Sequence, residues 1–332
     1  MKSSLAVSLL LVLAGCATDR QVIQQAESTH SELEAAIIKD PAISGYLQSV
    51  GERIVAAARE ADARHDGPKK HFEKSEDNAW MFEHGEFHLV NSKTLNAFTT
   101  GGSHMYIYSQ LMQTCRTEDE LAAVMAHEYA HVYSRHVQKG IDRQYYSLGA
   151  SAGAALVGLA IGGKEHGEEY AKTALVSSTV VTQFLGLGYT REDEAEADKY
   201  GFDFYVHAGW DPQRFGDFFQ QLIDQGLDKT PEIESDHPSL ASRVEAAKAR
   251  AAALPPEAAS WRKAPVADAS KFASLKTRVA QIGATRKTSE ELAKAQTLLS
   301  AVPSCVTPVD QPDQKRAQAT LVRALQAGPK TK

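Results

Sequence analysis

Two histidines four residues apart, with a glutamate after the first, offer the clearest chemistry in the chain: His127-Glu128-Tyr129-Ala130-His131. They lie within TEDELAAVMAHEYAHVYSRHVQKG (117–140), which reads as one helix. Thr117 and Glu120 fit a capping box, acids fill the first turn, and Gly140 stands where the helix should end. Positions four apart share a helix face, so both imidazoles can turn toward one ion. Glu128 is about 100° further round the helix. That puts it beside the ion without ligating it, as suits a general base acting on a water that the ion polarises. Leu121, Val124, Met125 and Val132 surround the motif and predict burial, where two histidines need partners. The chemistry is metal-assisted hydrolysis. The expected cofactor is zinc, one ion per chain, and a catalytic zinc takes three protein ligands and keeps one position open.

A third ligand must come from another element. YTREDEAEADKYG (189–201) holds Glu192, Asp193, Glu194, Glu196 and Asp198. Such runs are commonly solvated helix faces. Here Glu194 and Asp198 are four apart and share a face, Glu196 points nearly opposite, and Glu192 and Asp193 lie off it. Glu194 as ligand, with Asp198 accepting the second N–H of a ligating histidine, makes physical sense. Spacing alone leaves Glu196 open as the alternative.

Around these stretches, a chain of 332 residues with 43% hydrophobic and 23% charged residues is globular and can bury a large core. The net charge of −6, with no Lys/Arg cluster, speaks against nucleic acid as a partner. Residues 21–64 carry helical periodicity, punctuated by Pro41 and Gly45. Residues 71–109, with WMFEHGEFHLVNS and HMYIYSQ, read as strands broken by glycine. Helical patterning returns at 117 and runs with breaks to about 252. The apolar stretch 147–163 is short for a membrane span and reads as a soluble helix or a flap near the site. The expected fold is α+β and mainly helical, with a small sheet beside the His127–His131 helix. Residues 16–253 would form the catalytic domain. Residues 254–332 would form an extension of two or three short amphipathic helices with no recognisable chemistry.

The first residues, MKSSLAVSLLLVLAGCATDR, pair a basic start with a short apolar run that ends at Leu13-Ala14-Gly15-Cys16. This resembles the lipobox of bacterial lipoproteins. The resemblance implies a signal peptide at 1–15, cleavage before Cys16 and lipidation there, which anchors firmly once more than one acyl chain is attached. Ala17 follows the cysteine, which in the usual sorting pattern favours the outer membrane, with the protein on its periplasmic face. Cys115 and Cys305 remain and could pair in an oxidising compartment.

NSKTLNAF (91–98), GGSHMYIYSQLM (101–112), ELAAVMAHEYAHVYSRH (120–136), TREDEAEADKYG (190–201) and DHPSLASR (236–243) together resemble metallopeptidase family forty-eight, the HtpX- and BepA-like group. In order and spacing the motifs cover roughly residues 30–250. The resemblance implies a gluzincin-type zincin fold. It makes Glu194, three residues after Arg191, the third zinc ligand in preference to Glu196, although Thr190 stands where the family has Ser. It implies that His237 and Arg243 lie at the cleft and can stabilise an oxyanion, or that His237 occupies the open metal position in a latent state. It implies that Met105, Tyr106, Ile107 and Tyr108 form an edge strand to which an extended peptide could add. Thr100 departs from a common Pro there, and Ser103-His104 lengthens the turn. His104, His136 and His207 read as satisfied or surface histidines. The activity implied is endoproteolysis of unfolded or misfolded envelope proteins. Two rivals are a chaperone-like assembly factor for outer-membrane proteins that cleaves rarely, and a structural zinc lipoprotein with a closed site.

Overall fold

The computed structural model describes residues 19–68, 78–143, 189–227 and 239–304. The signal segment, Cys16, the stretch 147–163, His237 and Cys305 lie outside the described residues. Helices α1 (Asp19–Leu33) and α2 (Pro41–Ala63) open the fold. Asp40 caps α2 by accepting from the amides of Ala42 and Ile43, and Pro41 occupies its first turn. Gly45 interrupts nothing and sits inside α2.

The strand-like reading of 71–109 divides. Trp80–Glu83 belong to a short helix, α3 (Ala79–Glu83). Strands β1 (Glu86–Val90), β2 (Ala97–Thr99) and β3 (His104–Tyr108) follow, then α4 (Ser109–Thr114). The sheet order is β1-β3-β2, with β1 parallel and β2 antiparallel to β3. This corrects one expectation. Met105, Tyr106, Ile107 and Tyr108 form a central strand, hydrogen-bonded on both sides and buried throughout, so β3 has no free edge for a peptide. The outer strands are β1 and β2, and the end of β1 is already engaged, because Ile38 donates to the Leu89 carbonyl (2.8 Å).

Helix α5 (Glu118–Tyr133) carries the histidine motif and is buried along almost its whole length. Thr117 accepts from the Glu120 amide, but Glu120 turns instead to the Arg116 amide and guanidinium, so the box is half formed. The helix ends at Tyr133, not at Gly140. Arg135 takes a left-handed φ of 53°, and its guanidinium is held by Asp19 and Asn78. Helix resumes over 136–143.

Helices α6 (Arg191–Ala208), α7 (Asp217–Asp224) and α8 (Leu240–Ala252) complete the site's frame. Two more follow, α9 (Ala269–Thr285) and α10 (Glu290–Ala301). Phe272, Leu275 and Val279 of α9 and Leu292, Leu298 and Leu299 of α10 enter the same hydrophobic core as α2, the sheet and α5. The described part of the extension is therefore packed on the core. Tyr108 of the central strand donates to the Leu299 carbonyl (2.7 Å). Among the described residues no helix is long and apolar enough to cross a membrane.

Candidate metal centre

The centre forms where α5 and α6 touch. Gly201 makes that contact: a Cβ there would meet the Cα of His127 at 2.9 Å and its backbone nitrogen at 3.0 Å. Without a side chain, α6 lies directly against the turn that carries the first histidine. Thr190 starts α6 with a full capping box, trading hydrogen bonds with Asp193, and Arg143 clamps the Asp193 carboxylate at 2.6 Å.

This contact brings His127, His131 and Glu194 together, all fully buried or nearly so. The two Nε2 atoms are 3.1 Å apart. Glu194 Oε2 is 3.4 Å from His127 Nε2, and Oε1 is 3.7 Å from His131 Nε2. Ligands on a tetrahedral ion with bonds of about 2.0–2.1 Å are about 3.3 Å apart, so this triangle fits such an ion. Two imidazoles and one carboxylate also suit a borderline divalent metal in donor type. Glu128 follows His127 on the helix and is completely buried.

Both ligating rings have outer partners that set their tautomers. Asp198 Oδ1 lies 2.9 Å from His127 Nδ1, leaving Nε2 for the ion. His131 Nδ1 lies 2.8 Å from His136 Nδ1, and His136 Nε2 lies 2.8 Å from Glu196. With Nε2 of His131 committed to a metal, Nδ1–H donates to His136, whose own Nε2–H donates to Glu196. Tyr189 stacks on the His131 ring at 3.8 Å.

Charge follows this geometry. Burial and Arg243 both oppose a proton on His127, but the bonds to Asp198 and Glu194 prevail and carry the metal-free imidazole up to about 9. Burial would raise Asp198, yet Arg243 and His127 hold it down to about 2. Burial keeps His131 far below its ordinary value. Glu196 is held at about 2, against burial, by His136 and Lys139.

Arg243, on α8, stands beside the centre, with Nη2 3.4 Å from His127 Nε2 and Nη1 3.8 Å from Glu194 Oε2. It is buried, it clamps Asp198 through Nε (2.9 Å) and Nη2 (2.7 Å), and it lies over the Phe219 ring. A guanidinium so committed positions the carboxylate that orients His127. His136 was the residue that sequence reasoning undervalued. Its signal was Glu196 on the far face of α6 together with a histidine just past the end of α5. His207 is bonded to Asp203, away from the centre.

A buried helix pair bearing His-Glu-x-x-His opposite a glutamate, with each histidine oriented from behind, is the arrangement of a gluzincin metallopeptidase. The chain belongs to Peptidase family M48, whose family model matches residues 44–251. It is 30% identical over 226 residues to the beta-barrel assembly-enhancing protease of Escherichia coli (strain K12), covering 67% of this chain and 42% of that protein. It is 29% identical over 172 residues to the mitochondrial metalloendopeptidase OMA1 of Saccharomyces cerevisiae, covering 48% of this chain and 45% of the other. Metalloprotease LoiP of Escherichia coli (strain K12) is 28% identical over 166 residues, covering 48% and 60%. The chain spans less than half the length of the assembly-enhancing relatives it matches.

Proposed function

We propose that this chain is a zinc endopeptidase of the bacterial cell envelope, lipid-anchored at Cys16 on the periplasmic face of the outer membrane, that cleaves misfolded or mis-assembled envelope proteins. The donor triangle of His127, His131 and Glu194, with the buried acid Glu128 on the same helix, carries this reading. Zinc held there would supply Lewis acidity toward water and the scissile carbonyl. Glu128 then takes the proton of the attacking water and passes it to the departing amine. Asp198 and the His136–Glu196 pair keep both ligand rings in the metal-binding tautomer throughout. Arg243 holds Asp198 in place. With β3 central, strand β2 is the outer strand next to α5, and it is the better candidate to align an extended substrate.

Support for the envelope assignment comes from the lipobox-like start and from the assembly-enhancing proteases among the relatives. The name "assembly-enhancing" also favours a second reading, in which holding outer-membrane clients matters more than cutting them.

One experiment separates these. The chain from Ala17 onward, with its metal quantified, is incubated with an unfolded model protein. Wild type, Glu128→Gln and chelator-treated samples are compared. The peptidase reading expects cleavage by wild type alone, at equal zinc content in wild type and variant. Slowed aggregation of the model protein by both forms, with cleavage by neither, would move the conclusion to the holding role.

A further inference from the structure

Glu86 and His104 are register partners across the parallel β1–β3 pair, and so are His88 and Tyr106. Side chains alternate along strands, so these four share one face of the sheet. Phe87, Leu89, Met105 and Ile107 point the other way and are buried in the core. Phe87, Met105 and His104 line a small pocket together with Tyr129 and Val132 of α5. Over that polar face lies α1, which brings Glu27 and His30.

Three donors on this face converge. His88 Nε2 is 3.0 Å from His104 Nδ1. A single oxygen, Glu86 Oε2, lies 3.4 Å from His88 Nε2 and 3.6 Å from His104 Nδ1. At the metal centre the two histidine nitrogens are 3.1 Å apart, and each lies 3.4 or 3.7 Å from a different oxygen of Glu194. Glu27 Oε1 sits 3.2 Å from His104 Nε2 and so fixes the tautomer that leaves Nδ1 as the lone-pair nitrogen. Asp198 does the same for His127. His30 stacks on His104 at 3.9 Å, with its Nδ1 at 3.1 Å from the Tyr106 hydroxyl.

A hydrogen bond between His88 and His104 explains one edge of this triangle. It does not explain a carboxylate oxygen equidistant, within 0.2 Å, from both nitrogens. Glu86 is largely exposed, which gives an ion a way in.

We propose that Glu86, His88 and His104 form a second site for a divalent transition-metal ion, zinc by its donor set, on the sheet face beneath α1. His30 stands close enough to close the site as a fourth ligand if its ring turns out of the stack. A bound ion would polarise the His104 N–H and tighten its bond to Glu27, drawing α1 onto the sheet.

The test uses the full chain, tag-free, in detergent. Zinc per chain is counted after dialysis, and Co²⁺ titration followed by visible absorption gives the two affinities. Two ions are expected in wild type and one in His127→Ala/His131→Ala. One is also expected in His88→Gln/His104→Gln, with wild-type peptidase activity. Glu27→Gln changes an exposed residue that does not endanger the fold, and it should weaken the second site roughly 10–100-fold. That variant decides the matter if His88→Gln/His104→Gln does not fold. The proposal is overturned if His127→Ala/His131→Ala takes up no ion, if wild type holds only one, or if Glu27→Gln leaves both affinities unchanged. None of these counts depends on whether the chain cleaves peptides.

Discussion

The donor triangle between α5 and α6 and the one between β1 and β3 have nearly the same edges, yet they are built to different depths. The first lies at a helix–helix contact with every donor buried, and its outer partners are themselves buried and clamped. The second lies on a sheet face, with two largely exposed glutamates, Glu86 and Glu27, among its donors and partners. Depth decides what an ion can do. In the buried site an acid, Glu128, is positioned by the same helix, and low dielectric strengthens each electrostatic contact. On the sheet face no such acid stands behind the triangle among the described residues, so an ion there has only structure to hold.

The largest expected effect tests that contrast. Glu128→Gln should lower peptidase activity by about 10²–10⁴-fold with zinc content unchanged, as the loss of a general base does. Single-turnover cleavage with metal analysis checks it. A variant that keeps more than a tenth of the activity would remove the functional difference between the two triangles.

Next comes Arg243→Met. It leaves Asp198 as a buried carboxylate without its clamp, and breaking such a pair costs about 3–5 kcal/mol. Denaturant unfolding of the metal-free chain reads it. No comparable loss is expected from Glu86→Gln, because that carboxylate is already largely in water. Gly201→Ala should follow at about 1–3 kcal/mol, since its methyl would force α6 away from His127. That change should also weaken zinc at the helix site and leave the sheet site's affinity alone.

The two sites also differ in how readily they were read from the sequence. His127, Glu128 and His131 were legible because a helix converts a spacing of four into a shared face, whereas Glu194 was preferred to Glu196 only through the family resemblance. Asp198 followed by the spacing of four. Nothing local announces that β3 is central, because sheet order is settled by contacts between segments far apart in sequence. The parallel β1–β3 pairing set Glu86 beside His104, and α1 then supplied Glu27. Lone histidines on three elements carry no periodic signal, so His30 and His88 passed unnoticed and His104 read as merely satisfied. Arg243 was found by motif, but its clamping role on Asp198 was not. That role depends on Asp198 reaching it from another helix.

Protons sharpen the comparison further. In the metal-free chain His127 carries its proton up to about pH 9, above the ordinary imidazole value. An ion arriving at the helix site below that pH must displace the proton. Affinity there should therefore rise roughly tenfold per pH unit from 7 to about 9 and level off above it. Burial pushes His88 down to about 3, so this ring releases no proton when an ion arrives over that range. Calorimetry in buffers of different ionisation enthalpy separates the two. Equal proton release at both sites would contradict the assignment of an imidazolium between Asp198 and Glu194.

The smallest effect concerns how each triangle is held. Glu194 rides on a helix whose start depends on Thr190, while the sheet donors are locked by strand register. Thr190→Ala removes the acceptor for the Asp193 amide and should cost about 1 kcal/mol of stability. Arg143 still holds Asp193, so the helix forms and zinc stays bound, but the first turn of α6 opens more often. Hydrogen exchange should therefore quicken at residues 191–194 and stay unchanged along β1 and β3. Exchange that quickened equally in the strands would mean the two sites share one opening unit, and their separation into a helix-built centre and a sheet-built one would fail.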